Sequence, residues 1–163
     1  MRAMNLIREH GEHPDSPRSE QRIVRMTPDG KSASSVQAVL HERIEGLAQA
    51  IREKDLDHLM GFYAPEVVAF DVQPPLDTRG AGEYGKNFER WFASFEGPIS
   101  FELKNLRVVP GEFTAFCHYL ALIVGAIPDD QKIGYWVRGT TCFERRDGTW
   151  LVTHEHISMP SPM

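Results

Sequence analysis

The C-terminal part of the sequence constrains the fold most, because four long strand-like runs follow one another there with only short connections between them. The runs are rich in β-branched and aromatic residues: ISFELKNLRVV (99–109), FTAFCHYLALIVGAI (113–127), KIGYWVRGTTCFE (132–144) and TWLVTHEHIS (149–158). The connections are built from PG, PDDQ and RRDG. Connections this short join antiparallel neighbours, so we expect the last three strands to form a meander of hairpins.

The preceding residues predict three helices and one strand. Apolar residues recur at spacings of three and four from Val36 to Ile51, after a capping-box pair at Ser34 and Gln37, which predicts an amphipathic helix. Asp55 is placed to cap a second short helix, LDHLMGFY, which is followed by a strand, VVAFDV, and a third helix, EYGKNFERWFASF. This order predicts an α+β fold, in which three helices from the N-terminal half cover a cone-shaped, curved, mostly antiparallel sheet. The cavity under such helices is a common place for a small-molecule site.

Charge and composition exclude several classes of protein. The chain of 163 residues has 18 Lys and Arg against 23 Asp and Glu, a net charge of −5, without a basic stripe for nucleic acid. No apolar run approaches the ~20 residues that cross a bilayer, and the N-terminus lacks the apolar core of a signal peptide. We therefore expect no nucleic-acid or membrane partner, a cytoplasmic location and two reduced cysteines, Cys117 and Cys142. Residues 1–33 are predicted to form a disordered or mobile N-terminal extension, and residues 34–160 a single domain.

Two segments carry a family resemblance: DLDHLMGFYAPEVVAFD (55–71) and FERRDGTWLVTHEHIS (143–158). They resemble the nuclear transport factor 2-like superfamily, and within it the SnoaL-like and ketosteroid-isomerase-like proteins, over about residues 35–160. The resemblance implies a cystatin-like roll with a central hydrophobic cavity and no cofactor. It implies a cofactor-independent isomerase, dehydratase or hydrolase, or alternatively a non-catalytic dimeric module that binds a ligand or another protein.

The resemblance also assigns roles to individual residues. Asp71, eight residues after Tyr63, takes the place of the general base of ketosteroid isomerases. Leu47 and Thr141 take the places of the two oxyanion donors, and because Leu47 cannot donate a hydrogen bond, steroid isomerisation itself is not expected. Glu155 takes the place of an acidic residue that epoxide hydrolases of the superfamily use, which would pair it with Asp71 as general acid and base.

The two carboxyl residues also have purely structural interpretations. Glu155 is more readily interpreted as a surface strand residue paired with Arg138 or Arg145, because exposed ion pairs are common. Asp71 can be interpreted as a cap of the loop QPPLDTRG. The predicted ligand is small and apolar or weakly acidic, and the residues expected to bind it are Tyr63, Trp91, Tyr119, Arg138 and Thr141. Trp91 is placed to close the cavity mouth. It belongs to an aromatic row on the third helix, however, and such a row is more often part of the core: Tyr84, Phe88, Trp91 and Phe95.

The pairing of the last two strands is left open by the sequence. A two-residue Asp-Gly turn pairs Thr141 with His154, whereas a three-residue loop pairs Thr140 with His154 and Arg138 with His156. The second arrangement is favoured because it separates polar from apolar side chains. It places Trp136, Arg138, Thr140, His154 and His156 on one face, and Val137, Thr141, Phe143, Leu151, Thr153, Glu155 and Ile157 on the other.

The polar face has three possible uses. It suits a homodimer interface, for which Trp and Arg are favoured anchors. The alternative is that Arg138 enters the cavity and binds an acidic group. His154 and His156 also have the spacing of metal ligands on a strand, with His118 as a third, but local spacing fixes no third ligand, so no metal is expected.

Overall fold

The computed structural model of the chain describes residues 33–129 and 131–160. It confirms the α+β class, with three helices and a curved, mostly antiparallel sheet. The elements in chain order are α1 Ala33–Glu53, α2 Leu56–Met60, β1 Tyr63–Phe70, β2 Thr78–Arg79, α3 Ala81–Ala93, β3 Glu96–Val109, β4 Thr114–Ile127, β5 Gln131–Arg146 and β6 Thr149–Ser158. The predicted extension over 1–33 lies outside the described residues except for Ala33, which begins α1.

The helices form where the predicted signals place them, within a few residues. The apolar stripe of α1 is buried, from Val36 through Leu40 and Ile44 to Ile51, and the helix packs on β3. The side chain of Asp55 accepts a hydrogen bond from the backbone N–H of His58 at 3.0 Å, which confirms it as the N-cap of α2. No helix within 33–129 or 131–160 is long and apolar enough to cross a bilayer.

The six strands form one sheet in the order β2-β1-β6-β5-β4-β3. The pair β1 and β6 is parallel, and all other neighbours are antiparallel. β1 begins and ends earlier than predicted, so that Asp71 directly follows the strand. Thr78 and Arg79, predicted as loop, form the edge strand β2 against Val68 and Ala69. These contacts place the loop between β1 and β2 at one end of the sheet.

The structure has the two-residue turn, which was the less favoured alternative, yet neither predicted pairing of β5 with β6 is observed. The turn has two residues, Asp147 and Gly148, with φ of 49° and 83°, the conformation that an Asp-Gly hairpin turn requires. Between Cys142 and Phe143 the register then shifts, because a bulge adds one residue to β6. The result pairs Thr141 with Glu155 and Thr140 with His156.

The turn and the bulge together preserve one part of the prediction and overturn another. The observed register differs from the favoured one by two residues, so Trp136, Arg138, Thr140, His154 and His156 do share one face, which we call the outer face. Leu151 and Thr153, however, were expected to be on the opposite, inner face. Between the turn and the bulge, Trp150 and Val152 point inward instead, with 4% and 0% of their surface exposed.

Candidate functional site

A pocket lies between the helices and the inner face of the sheet. Its walls are mainly apolar or aromatic, with Leu47, Ile51, Phe88, Phe101, Ile123, Val137 and Ile157 among the lining residues. Its free volume is about 100 Å³. An engineered apolar cavity of roughly 150 Å³ in another protein binds benzene. The pocket is therefore suited to a small, mainly apolar molecule.

Glu155 lies at the polar end of this pocket, with 2% of its surface exposed. Its Oε2 accepts hydrogen bonds from the hydroxyls of Tyr63 and Tyr84, both at 2.8 Å. Its Oε1 accepts from the Thr141 hydroxyl at 3.1 Å and from the Tyr119 hydroxyl at 3.5 Å. We call these five residues the Glu155 cluster. The interpretation of Glu155 as a surface residue is wrong, because the bulge in β6 turns this side chain inward.

A glycine makes room for one member of the cluster. A Cβ on Gly139 would lie 2.4 Å from Cζ of Tyr119 and 2.7 Å from its hydroxyl oxygen. Any larger residue on this part of β5 would displace the ring. Gly139 therefore allows the Tyr119 side chain to lie across the sheet and reach Glu155.

Burial controls the protonation of the cluster. Removal from water raises the pKa of Glu155, and the ionised form of Asp71 raises it further, while the hydroxyls of Tyr63, Tyr84 and Thr141 oppose the shift. Burial also raises the pKa of Tyr63, Tyr84 and Tyr119 well above the ordinary value of 10.0. The three tyrosines are therefore neutral donors, and Glu155 retains its proton to a higher pH than a free glutamate does.

Asp71 is a second carboxyl group that lines the pocket. It is half-buried directly after β1, and its Oδ1 accepts a hydrogen bond from the backbone N–H of Val72 at 2.6 Å. Burial raises the pKa of Asp71, and the hydrogen bond from Val72 partly opposes this shift. The local hydrogen bond agrees with the loop-capping interpretation, but the same side chain also lines the pocket.

Two aromatic side chains join helix α3 to strand β5 at the pocket. The indole Nε1 of Trp91 donates a hydrogen bond to the hydroxyl oxygen of Tyr135 at 3.0 Å, and both residues line the pocket. Burial raises the pKa of Tyr135, although the hydrogen bond from Trp91 opposes this shift, and the charge of Asp71 adds to it. The indole and the phenol are thus held in a fixed relation to each other.

Of the residues predicted to bind ligand, Tyr63, Trp91 and Tyr119 line the pocket, as do Asp71 and Glu155. Thr141 is fully buried and is not part of the pocket lining, so its contact is with Glu155 rather than with the free space. The prediction that Arg138 enters the cavity is wrong. Arg138 is exposed on the outer face, where it donates a hydrogen bond to the backbone oxygen of Met159 at 3.2 Å.

Sequence reasoning missed Tyr84 and Tyr135 as pocket residues. Tyr84 belongs to the aromatic row of the third helix. Its helical spacing alone does not distinguish a core ring from a ring whose hydroxyl reaches a carboxylate. Tyr135, Val137 and Gly139 are every second residue of β5 and therefore share one face. The period of the strand was the signal that could have placed Tyr135 on the inner face.

The histidines and cysteines form no metal site in the described ranges, where no three His, Cys, Asp or Glu side chains converge. His154 and His156 lie on the outer face, and Nδ1 of His154 is 2.7 Å from the backbone oxygen of Val68. Cys117 and Cys142 are free thiols. Burial raises the pKa of Cys117 to about 12, so this thiol is inert at neutral pH.

Comparisons with known proteins agree with this architecture. The model of a family described as SnoaL-like domain matches residues 40–162. An NTF2-like protein of unknown function from Pseudomonas putida KT2440 is 31% identical, with 80% of this chain and 90% of that chain covered and a TM-score of 0.73. No curated protein matches the chain.

Two more distant structures share the fold. A candidate dehydratase of the NTF2-like family from Streptomyces avermitilis is 22% identical, with 81% of this chain and 97% of that chain covered and a TM-score of 0.66. A ketosteroid isomerase-like protein from Erwinia carotovora atroseptica is 16% identical, with 77% and 97% covered and a TM-score of 0.67. At these identities the likeness extends to the fold alone.

Proposed function

The chain belongs to the SnoaL-like domain family, and from that premise we propose that it is a cofactor-independent enzyme that transfers protons on a small, mainly apolar substrate. The reaction class is isomerisation or dehydration next to a carbonyl group, with Asp71 as the general base. The candidate dehydratase from Streptomyces avermitilis has the same fold, which makes this class compatible with the architecture.

One observation carries the proposal: a single apolar pocket holds two carboxyl groups, Asp71 and Glu155, whose pKa values are both raised by burial. A general base acts best when its pKa lies near the working pH, and burial moves a carboxyl group in that direction. Burial of two carboxyl groups in one pocket costs free energy that their hydrogen bonds offset only in part, which favours a functional role for them.

The chemistry uses only groups that the chain supplies. The carboxylate of Asp71 takes a proton from the carbon next to the substrate carbonyl, and the electron pair of the broken C–H bond moves to the carbonyl oxygen. In an isomerisation the electron pair returns from the oxygen and shifts a neighbouring C=C bond, and Asp71 delivers a proton, which can exchange with solvent, to the far carbon of that bond. In a dehydration the electron pair expels a hydroxyl group from the neighbouring carbon, and that group leaves as water with a proton from the pocket.

Glu155 supplies the second proton site. When it is protonated, its O–H donates a hydrogen bond to one of the hydroxyl oxygens around it, and that hydroxyl turns its own hydrogen away from Glu155. The cluster therefore holds the proton of Glu155 inside the pocket, where a substrate can take it. This property suits Glu155 as the acid that returns or delivers a proton.

The proposal is tested by solvent-proton exchange, which needs no knowledge of the natural product. The probes are cyclohexanone, cyclohex-2-enone and 3-hydroxycyclohexanone in D₂O, with loss of the proton signals next to the carbonyl followed by NMR. We expect the wild-type protein to accelerate exchange of at least one probe, and Asp71→Asn to lower that rate about 100-fold or more, because it removes the base.

The matched control is Asp57→Asn, since Asp57 is an exposed acid in the first turn of α2, and its exchange rate should equal that of wild type. Wild-type exchange no faster than in buffer, for all three probes, contradicts the enzymatic proposal. Equal rates for Asp71→Asn and wild type contradict the assignment of Asp71 as the base.

A non-catalytic ligand-binding module is the second candidate. It is favoured by the hydrogen bonds inside the Glu155 cluster, which satisfy both carboxyl oxygens without a ligand, and by Leu47, which lines the pocket where the resemblance expects a donor. Thermal shift with the same three probes separates the candidates. Stabilisation of wild type and of Asp71→Asn without any exchange supports binding without catalysis.

The outer face supports a further part of the proposal, a homodimer. Trp136 and Phe116 on adjacent strands are 45% and 42% exposed, and exposed aromatic side chains on one face of a sheet are typical of interfaces. The neighbouring Arg138 and His156 would form the polar surroundings of such an interface.

A further inference from the structure

Four tyrosine hydroxyls reach the pocket, and they differ in how their protons are used. The hydroxyls of Tyr63 and Tyr84 each donate to Glu155 at 2.8 Å. The hydroxyl of Tyr119 has the same acceptor at 3.5 Å and also interacts with Thr141. These three are members of the Glu155 cluster. The fourth, Tyr135, is not among the hydroxyls that donate to Glu155 in the described part of the chain, and its hydrogen bond is with Trp91.

The environment of Tyr135 orients its hydroxyl and leaves the proton available. Its oxygen accepts the hydrogen bond from Nε1 of Trp91 at 3.0 Å, and that indole nitrogen has only this one hydrogen to donate. The hydroxyl hydrogen of Tyr135 must therefore point away from Trp91. Within residues 33–129 and 131–160 it has no acceptor, although the residue is half-buried and lines the pocket.

We infer that Tyr135 donates a hydrogen bond to the carbonyl oxygen of the substrate and that Trp91 is the residue that positions it. This inference rests on the proposed function and names the donor that the family resemblance did not supply at Leu47 and Thr141. The ligand class is a small ring with one carbonyl oxygen. The apolar and aromatic walls suit the ring, and the free volume of about 100 Å³ matches a small molecule.

The position of Tyr135 suits the chemistry assigned to Asp71. The charge of the ionised Asp71 carboxylate raises the pKa of Tyr135, as it does for Tyr63 and Tyr84. The hydroxyls of Tyr63 and Tyr84, however, already donate to Glu155. A base that takes a proton from the carbon next to a carbonyl must lie close to the donor that holds the carbonyl oxygen. Among the four pocket tyrosines, Tyr135 meets this requirement with an uncommitted proton.

The inference is tested by comparing two ring probes that differ in one atom position. Cyclohex-2-enone carries a carbonyl oxygen, and 3-methylenecyclohexene carries a CH₂ group in its place. We expect Tyr135→Phe to weaken binding of the enone about threefold to tenfold, the usual effect of one hydrogen bond, and to leave the hydrocarbon unchanged. Ligand-observed NMR titration of the full chain gives both dissociation constants.

Two further variants separate a donor from a merely structural residue. Trp91→Phe keeps an aromatic ring but removes the N–H that orients Tyr135, so the enone should lose part of its advantage over the hydrocarbon. Tyr63→Phe removes a hydroxyl that donates to Glu155, so it should change the two dissociation constants by the same factor. The ratio of the two constants is the readout, because misfolding or a change of pocket shape affects both probes together.

Each outcome decides between the proposals. If wild type binds the enone no better than the hydrocarbon, or if Tyr135→Phe leaves the ratio of the constants unchanged, the assignment of Tyr135 is overturned while the pocket remains a ligand site. If wild type binds neither probe and exchanges no protons, the proposed function is overturned, and the assignment of Tyr135 with it. A loss of preference that is confined to Tyr135→Phe and Trp91→Phe supports the inference.

Discussion

The inner and outer faces of strand β5 belong to the same sixteen residues and have opposite chemistry. On the inner face Val137, Gly139, Thr141 and Phe143 are buried, and Thr141 donates to Glu155. On the outer face Trp136 and Arg138 are exposed, and Thr140 and Cys142 are half-buried. The two sets alternate along the chain, as the period of a strand requires.

The difference teaches that polar residue types alone do not mark the site. Arg138 and the two histidines of His154-Glu155-His156 look the most reactive in the sequence, yet all three lie on the outer face. Glu155, which lies between the two histidines, is the group whose pKa is raised by burial and whose oxygens accept hydrogen bonds from hydroxyl groups. Burial and fixed partners therefore distinguish the two faces.

The comparison predicts its largest effect for aromatic truncation. Phe143→Ala on the inner face should lower the free energy of unfolding by about 3–5 kcal/mol, because the ring is 2% exposed and leaves a cavity. Trp136→Ala on the outer face should lower the free energy of unfolding of the monomer by roughly 1 kcal/mol or less. Urea denaturation followed by circular dichroism gives both values.

The same Trp136 variant tests the homodimer. If the outer face is the dimer interface, the denaturation midpoint of wild type rises with protein concentration and that of Trp136→Ala does not. A midpoint of wild type that is independent of concentration contradicts the dimer. Equal losses for Phe143→Ala and Trp136→Ala in the monomer would contradict the contrast between the faces.

A smaller effect is expected when only a hydroxyl is removed. Thr141→Val keeps the shape of the side chain but deprives Glu155 of a donor, so we expect it to lower the free energy of unfolding by about 1–3 kcal/mol. Thr140→Val, one residue earlier on the outer face, should change it by less than about 0.5 kcal/mol. Thermal denaturation of the two variants beside wild type measures the difference.

This neighbouring pair is its own control, because both substitutions exchange the same groups in the same strand. A loss for Thr140→Val as large as that for Thr141→Val would show that the change reflects strand packing rather than the hydrogen bond to Glu155. A neutral Thr141→Val would remove Thr141 from the residues that hold the carboxyl group.

Much of this architecture was predictable because the signals are local. The apolar period of α1, the cap at Asp55 and the short connections of the C-terminal strands each depend on residues that are close in sequence, and each was predicted correctly. The division of β5 into two faces was also correct, because alternation follows from backbone geometry alone. The family resemblance added Asp71 and Glu155, and both line the pocket.

The remainder depended on geometry that has no local signal. The bulge opposite Cys142 and Phe143 shifts the pairing by one residue, and no pattern in the segment RRDGTWLVTHEH predicts it. The two-residue turn places Trp150 and Val152, rather than Leu151 and Thr153, on the inner face, and the bulge then returns Glu155 to that face. The convergence of Tyr63, Tyr84 and Tyr119 on Glu155 joins four separate elements, and no spacing along the chain predicts which hydroxyl meets which oxygen.

Taken per pH unit, the smallest effect that the comparison predicts is a dependence of stability on pH that the carboxyl group of Glu155 causes on the inner face. The folded chain holds the Glu155 proton above the ordinary pKa of 4.5, whereas the unfolded chain releases it near that value. Between these two pKa values the folded state binds more protons, so the free energy of unfolding falls as pH rises, by at most about 1.4 kcal/mol per pH unit. Glu155→Gln cannot ionise and should lack this slope, which denaturant titrations from pH 4 to pH 8 measure.

The sign of the effect makes this prediction discriminating. Below pH 4.5 both states hold the proton and the contribution of Glu155 is constant, so Glu155→Gln should gain on wild type only as pH rises above that value. Glu89→Gln, an exposed residue of α3, should follow the wild-type curve at every pH. Asp71 is present in all three proteins, so its own raised pKa contributes to each curve. Parallel curves for Glu155→Gln and wild type would mean that burial does not shift the pKa of this carboxyl group, and the distinction between the two faces would then rest on packing alone.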